Sequence, residues 1–284
     1  MNKELCAQMI KRAENTRAAC MKTKVVGRCI GIPTRHGDRD VYFYRSSSSV
    51  AGAMIVLHGG GFLFGSARNC EPYCLELAKR TSRHVIAFDY TCTPEARWPV
   101  ALEEVCDGVN YLRENAALFG IDKDRIALGG HSAGANLAAA AAICLKEGTL
   151  DKLVLDYPYL DQTDNSLAAQ GERAAESTVV FRELYCSESE RNDDRVSPIF
   201  AGDEVIAKFP QTVVFCAEDD VLRYEGECFA KRLENKGKLG LFRLCKGVQH
   251  AFIEHEFDLM RGESDENRRA EAVKVIELTA EFLA

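Results

Sequence analysis

Short apolar runs and segments of helical period alternate along most of this chain, and that alternation restricts its architecture more than any other feature. The runs fall at 54–57, 85–88, 126–128, 153–155, 212–216 and 241–244, each bounded by turn residues. Between and after them, 68–82, 100–115, 133–146, 223–236 and 267–282 place apolar residues three or four apart. Strand followed by helix, repeated, predicts an α/β chain with a parallel sheet and crossover helices. Two earlier segments, 25–32 and 39–44, are joined across Gly37-Asp38 and read as an antiparallel hairpin at the sheet edge. With 284 residues, 46% of them hydrophobic, the chain is long enough to bury one large core.

Two segments stand outside the alternation. Residues 1–24, charged and helical in pattern as far as Met21, are expected to form an N-terminal cap, and about 161–195, rich in Glu, Arg and Ser, a lid insertion. The remainder, 25–284, is expected to be one catalytic domain. The formal charge of −7 comes from 43 acidic and 36 basic residues mixed along the chain, with no basic stretch to follow a phosphate backbone, so nucleic acid is not an expected partner. No apolar run approaches the roughly 20 residues that span a bilayer. The start, 1–13, is charged and has no signal-peptide character, so a soluble, cytoplasmic protein without membrane insertion is expected.

The twelve cysteines are scattered and read as reduced thiols. Cys70 and Cys74 have no nearby ligands to complete a tetrahedral site, so no metal is expected. Cys216 and Cys144 read as small buried apolar residues.

Chemistry enters at Gly130-His131-Ser132-Ala133-Gly134, between a strand and a small-residue helix. That is the context of a nucleophile elbow, a strained turn that lifts a serine hydroxyl clear of the backbone. His58-Gly59-Gly60-Gly61 directly follows the run 54–57. Its unobstructed N–H groups, with that of Ala133, suit the negative oxygen of a tetrahedral acyl-transfer intermediate. A phosphate loop would end in Lys-Ser or Lys-Thr, and Phe62-Leu63-Phe64 follows instead.

A serine needs a base and an orienting acid, which in such folds follow it in the chain. Only His250 and His255 lie beyond Ser132; His250 follows the last apolar run, and His255 sits in an acidic run typical of a solvated face. For the acid, Glu218, Asp219, Asp220 and Glu225 all follow the run 212–216, and spacing alone leaves them open.

Taken together, HGGGF at 58–62, Asp89-Tyr90, Pro94-Glu95, Pro99, RIALGGHSAGANLAAA at 125–140, Ser197-Pro198, Asp220-Val221-Leu222 before Glu225-Gly226, and His250-Ala251-Phe252 resemble the hormone-sensitive-lipase-like family, which includes acetyl esterases and carboxylesterases. The resemblance implies an α/β-hydrolase fold with a mostly parallel eight-stranded sheet and a small helical cap. It implies Ser132, Asp220 and His250 as catalytic triad, and Gly60, Gly61 and Ala133 as oxyanion-hole donors. It adds no cofactor. The implied activity is hydrolysis of short-chain acyl esters through an acyl-enzyme, with a small-molecule ester as partner. Phe62 and Phe64 are expected to line the substrate pocket, and a homo-oligomer is compatible with the sequence. The same groups would serve amide hydrolysis of the arylformamidase type, and gibberellin receptors show the family as a non-catalytic small-molecule binder, though they lack the histidine. One departure falls beside the nucleophile: His131 stands where the family commonly has Asp, and it reads as a packing or hydrogen-bonding residue.

Overall fold

In a computed structural model that describes residues 2–163, 176–258 and 264–284, eight strands form a single sheet. They are β1 (Arg28–Ile32), β2 (Arg39–Tyr44), β3 (Ala51–Leu57), β4 (Arg83–Phe88), β5 (Ile121–His131), β6 (Lys152–Asp156), β7 (Gln211–Asp219) and β8 (Leu239–Gln249). Their spatial order is β1-β2-β4-β3-β5-β6-β7-β8. β2 pairs antiparallel with both β1 and β4, and every other pairing is parallel. The hairpin and the parallel sheet are as the alternation predicts.

All residues of β3 and β4 are buried, as strands covered on both faces require. Along β3 the side chains alternate: Ile55 and Leu57 face one core, Met54 and Val56 the other. Helices α3 (Val100–Glu114), α4 (Ala133–Cys144) and α6 (Arg223–Asn235) cover the first core through Leu102, Val105, Val109, Leu137 and Phe229. Helices α2 (Glu71–Arg80) and α8 (Glu266–Leu283) cover the second through Cys74, Leu77, Val275 and Ile276. A third, smaller cluster joins α1 (Lys3–Lys22) to α5 (Glu176–Tyr185): Cys6, Met9 and Ala13 pack with Val180 and Leu63. These helices belong to the two segments outside the alternation; 164–175 of the second lie beyond the described residues.

Two details differ from the sequence reading. β8 continues past 244 to Gln249, so His250 leaves directly from a strand end. Its last part contains exposed Lys246 and Gly247, and a polar edge strand gives no apolar signal. Cys216 is buried, but Cys144 is exposed, because it is the last residue of α4, beyond the stretch 133–141 that is buried.

In this order β3 and β5 are neighbours, and the chain leaves β3 toward β4 on one side and β5 toward β6 on the other. Such a switch point opens a crevice at the strands' C-terminal ends. Leu57 is in register with Gly130, so the loops beginning at His58 and Ser132 emerge side by side.

Candidate active site

Ser132 sits between β5 and α4 at φ 53°, ψ −113°, a conformation that residues with a Cβ seldom adopt. Its N–H donates to the Asp156 carbonyl at 2.9 Å, and its carbonyl accepts from Asn136 N at 3.0 Å. The elbow needs a glycine at 134, where a Cβ would come within 2.7 Å of the Leu57 carbonyl carbon.

His250 Nε2 lies 2.9 Å from Ser132 Oγ, and His250 Nδ1 lies 2.7 Å from Asp220 Oδ2. With a carboxylate at Nδ1, the proton belongs on that nitrogen, leaving Nε2 to accept from the serine hydroxyl. The Asp220 side chain is buried, and its other oxygen accepts from Leu222 N at 2.9 Å. Desolvation is the largest influence on His250 and lowers its pKa. The charge of Asp220, its hydrogen bond and the more distant charge of Glu254 together outweigh it, so the net shift is upward.

The other acids left open by the sequence have different partners. Asp219, at the end of β7, is exposed. Glu218 pairs with Lys246 at 2.7 Å and accepts from Gly247 N. Glu225 is buried and accepts from Leu160 N and Asp161 N at 2.7 and 3.0 Å, fastening the segment after β6. His255 is exposed as expected, but the acidic run around it is not a uniformly solvated face. Glu256 is fully buried against Arg268 and Arg269, and Glu254 reaches the site.

The glycine loop is shaped by Gly60, at φ 112°, where a Cβ would lie 2.6 Å from the carbonyl carbon of Phe64. The N–H groups of Gly60, Gly61 and Ala133 have no acceptor among the described residues. Ala133 is the first residue of α4, where the helix dipole favours negative charge. Gly59 N–H is committed, donating to Glu254 Oε1 at 2.9 Å. Beneath the loop, His58 stacks on Tyr90 at 4.2 Å, and Tyr90 Oη donates to the His58 carbonyl. Burial pushes the His58 imidazole pKa down. Sequence reasoning missed Glu254 and Tyr90 as supports of this loop; their spacing from it carries no local signal.

A cavity of about 530 Å³ opens onto Ser132 and His250, with Gly60, Gly61, Phe64 and Phe181 in its walls and Arg12 of α1 at its side. Phe64 therefore lies where a substrate wall was expected. Phe62 does not: it is buried, stacked on Tyr185 at 3.6 Å, and faces away from the cavity. Phe62, at φ 62°, turns into the main core, whereas Leu63 and Phe64 pack with the cluster of α1 and α5. No group of three or more ligating side chains that could hold a metal occurs among the described residues.

The family model described as the α/β hydrolase fold matches residues 54–254. An arylesterase of Saccharolobus solfataricus is 32% identical over 212 residues, covering 71% of this chain and 68% of the relative. An acetyl esterase of Salmonella dublin is 28% identical over 254 residues, covering 86% and 77%. The structure of a hyperthermophilic esterase from the archaeon Pyrobaculum calidifontis aligns with a TM-score of 0.81 at 27% identity, over 99% of this chain and 90% of the other. The chain belongs to the α/β-hydrolase-fold family, in the hormone-sensitive-lipase-like group that its motifs resemble.

Proposed function

We propose that this chain is a serine carboxylic ester hydrolase acting on short-chain acyl esters. The observation that carries the reading is His250 standing between Ser132 Oγ at 2.9 Å and Asp220 Oδ2 at 2.7 Å. In this reading, Ser132 attacks the ester carbonyl while His250 takes its proton, and Asp220 holds the imidazole and stabilises its charged form. The N–H groups of Gly60, Gly61 and Ala133 receive the developing oxyanion. The alcohol leaves with the proton from His250; water, activated by the same histidine, then releases the carboxylate and restores the serine. Names of the relatives, acetyl esterase and arylesterase, support small esters as substrates. The packing of α1 and α5 over residues 63–64 supports their reading as a cap. The intact His250 argues against a receptor without catalysis. Among the described residues no helix is long and apolar enough to cross a membrane, and twelve free cysteines support a reducing, cytoplasmic setting.

The test is stoichiometric labelling with a fluorophosphonate, located by peptide mass spectrometry and paired with Ser132→Ala. Label on Ser132 and a loss on the order of 10⁶ in kcat, as in a protease stripped of its nucleophile, are expected. Label elsewhere, or full activity in Ser132→Ala, refutes the assignment. A series of aryl esters of increasing acyl length should peak at roughly two to six carbons, each accommodated methylene being worth about 1 kcal/mol until the wall is met.

A further inference from the structure

Directly before the nucleophile, the buried His131 places Nδ1 2.9 Å from Oδ2 of Asp156, which is equally buried; each side chain is 1% exposed. The two residues are register partners on β5 and β6. Asp156 is also the residue whose carbonyl accepts the Ser132 N–H. Asp156 thus meets His131 through its side chain and the strained elbow at Ser132 through its carbonyl. A backbone held in such a region persists only where its surroundings over-determine it.

A second path runs from Asp156 to the base. The next residue, Tyr157, has φ 37° and donates its N–H to Phe215 O at 2.6 Å. Its ring lies nearly parallel to that of His131 at 5.9 Å and meets His250 edge-on at 5.2 Å. Tyr73 closes the other side of His131, edge-on at 4.7 Å. Packing alone does not call for a charge pair here, because apolar residues of like volume would avoid the desolvation cost. Nor does the pair complete a hydrogen-bond network: the contact is close but poorly aligned, and Nδ1 and Asp156 Oδ1 have no well-directed partner among the described residues.

We propose that His131 and Asp156 form a positioning pair that holds Ser132 within reach of His250, governing the rate of attack by the serine and not the binding of substrate. This inference rests on Ser132 being the nucleophile. Both are read from the kinetics of fluorophosphonate inactivation, which separates the maximal rate kinact from the binding constant KI. Asp156→Asn and His131→Gln should each lower kinact tenfold or more, with KI within about twofold. The double variant should be no slower than the slower single one, since members of a unit do not add. The exchanged pair, His131→Asp with Asp156→His, should recover kinact to within about threefold of the wild type. If one single variant does not fold, the other and the exchanged pair supply the comparison. Absence of label on Ser132 in the wild type would overturn the nucleophile assignment itself. Label on Ser132 with unchanged kinact in a folded single variant, whatever its melting temperature, would leave that assignment standing and overturn the positioning role. Strictly additive losses would also overturn it.

Discussion

Asp220 accepts from the Leu222 N–H and from His250, whereas Asp219, one peptide earlier, ends a strand in solvent. Asp220→Asn would keep the shape and favour the wrong imidazole tautomer, a change that costs about 10⁴ in kcat in a serine protease. Asp219→Asn should retain nearly all activity; kcat/KM of both variants, with folding checked by circular dichroism, decides between the neighbours. The upward shift of His250 also carries a sign. Protonated imidazole cannot take the serine proton, so kcat/KM should fall on acidification with an apparent pKa above the ordinary ~6.5. A pKa raised by folding stabilises the native state fully below the unfolded value, and that increment fades as pH rises through the native one. Activity and this part of stability therefore run in opposite directions with pH. At this scale the sequence was informative where local context or chain order restricted the choice: the strand-to-helix glycine motif singled out Ser132, and chain order narrowed the histidine to His250 or His255. It was silent where direction mattered: spacing cannot separate two adjacent aspartates, and nothing in Phe62-Leu63-Phe64 tells which ring faces the cavity.

The short helix α7 (Phe252–Phe257) couples His250 to the glycine loop, since it follows His250 by one residue and carries Glu254 to the Gly59 N–H. Glu254→Gln keeps an oxygen that can accept this bond but removes a negative charge that favours imidazolium at His250. The acid limb of the pH profile should then move to lower pH, with neutral-pH kcat within about threefold. Glu254→Ala removes the acceptor as well. Loss of a hydrogen bond to a charged group, about 1.5–3 kcal/mol, would lower kcat roughly 10- to 100-fold if it is expressed in oxyanion placement. Equal profiles for wild type and Glu254→Gln would show that the carboxylate does not act on His250. Elements were legible in proportion to their burial: β3 and β4 are apolar throughout, while the polar end of β8 and the fastening role of α7 depend on partners distant in the chain.

Across the whole molecule, the sheet carries a charge pair at each end, His131–Asp156 between β5 and β6 beside the site and Arg83–Asp151 between β4 and the residue before β6 at the other, and the two should have separable consequences. At the end opposite the site, Arg83 opens β4 with its guanidinium 1% exposed. It donates to Asp151 Oδ1 and Oδ2 at 2.9 and 2.6 Å, to the Arg125 carbonyl at 3.0 Å and to the Leu283 carbonyl at 2.8 Å. One side chain thereby ties β4, β5, the start of β6 and the last turn of α8, and so closes the sheet against its C-terminal helix. Arg83→Met keeps much of the apolar stem but strands Asp151 and two carbonyls. Removing one partner of a buried pair costs about 3–5 kcal/mol; because Asp151 is 21% exposed, water can take up part of its charge and the lower figure is the better guide. At about 2–4 °C per kcal/mol for a chain near this size, that lower figure means Tm should fall by roughly 6–12 °C. Nothing in that cluster touches Ser132, His250 or the glycine loop, so kcat at 25 °C per folded molecule should stay within about twofold. Scanning calorimetry beside active-site titration checks both halves. A collapse of kcat at full folding would mean that strain at the bottom of the sheet reaches the elbow, and an unchanged Tm would mean that the guanidinium's five donors were not holding the helix to the sheet.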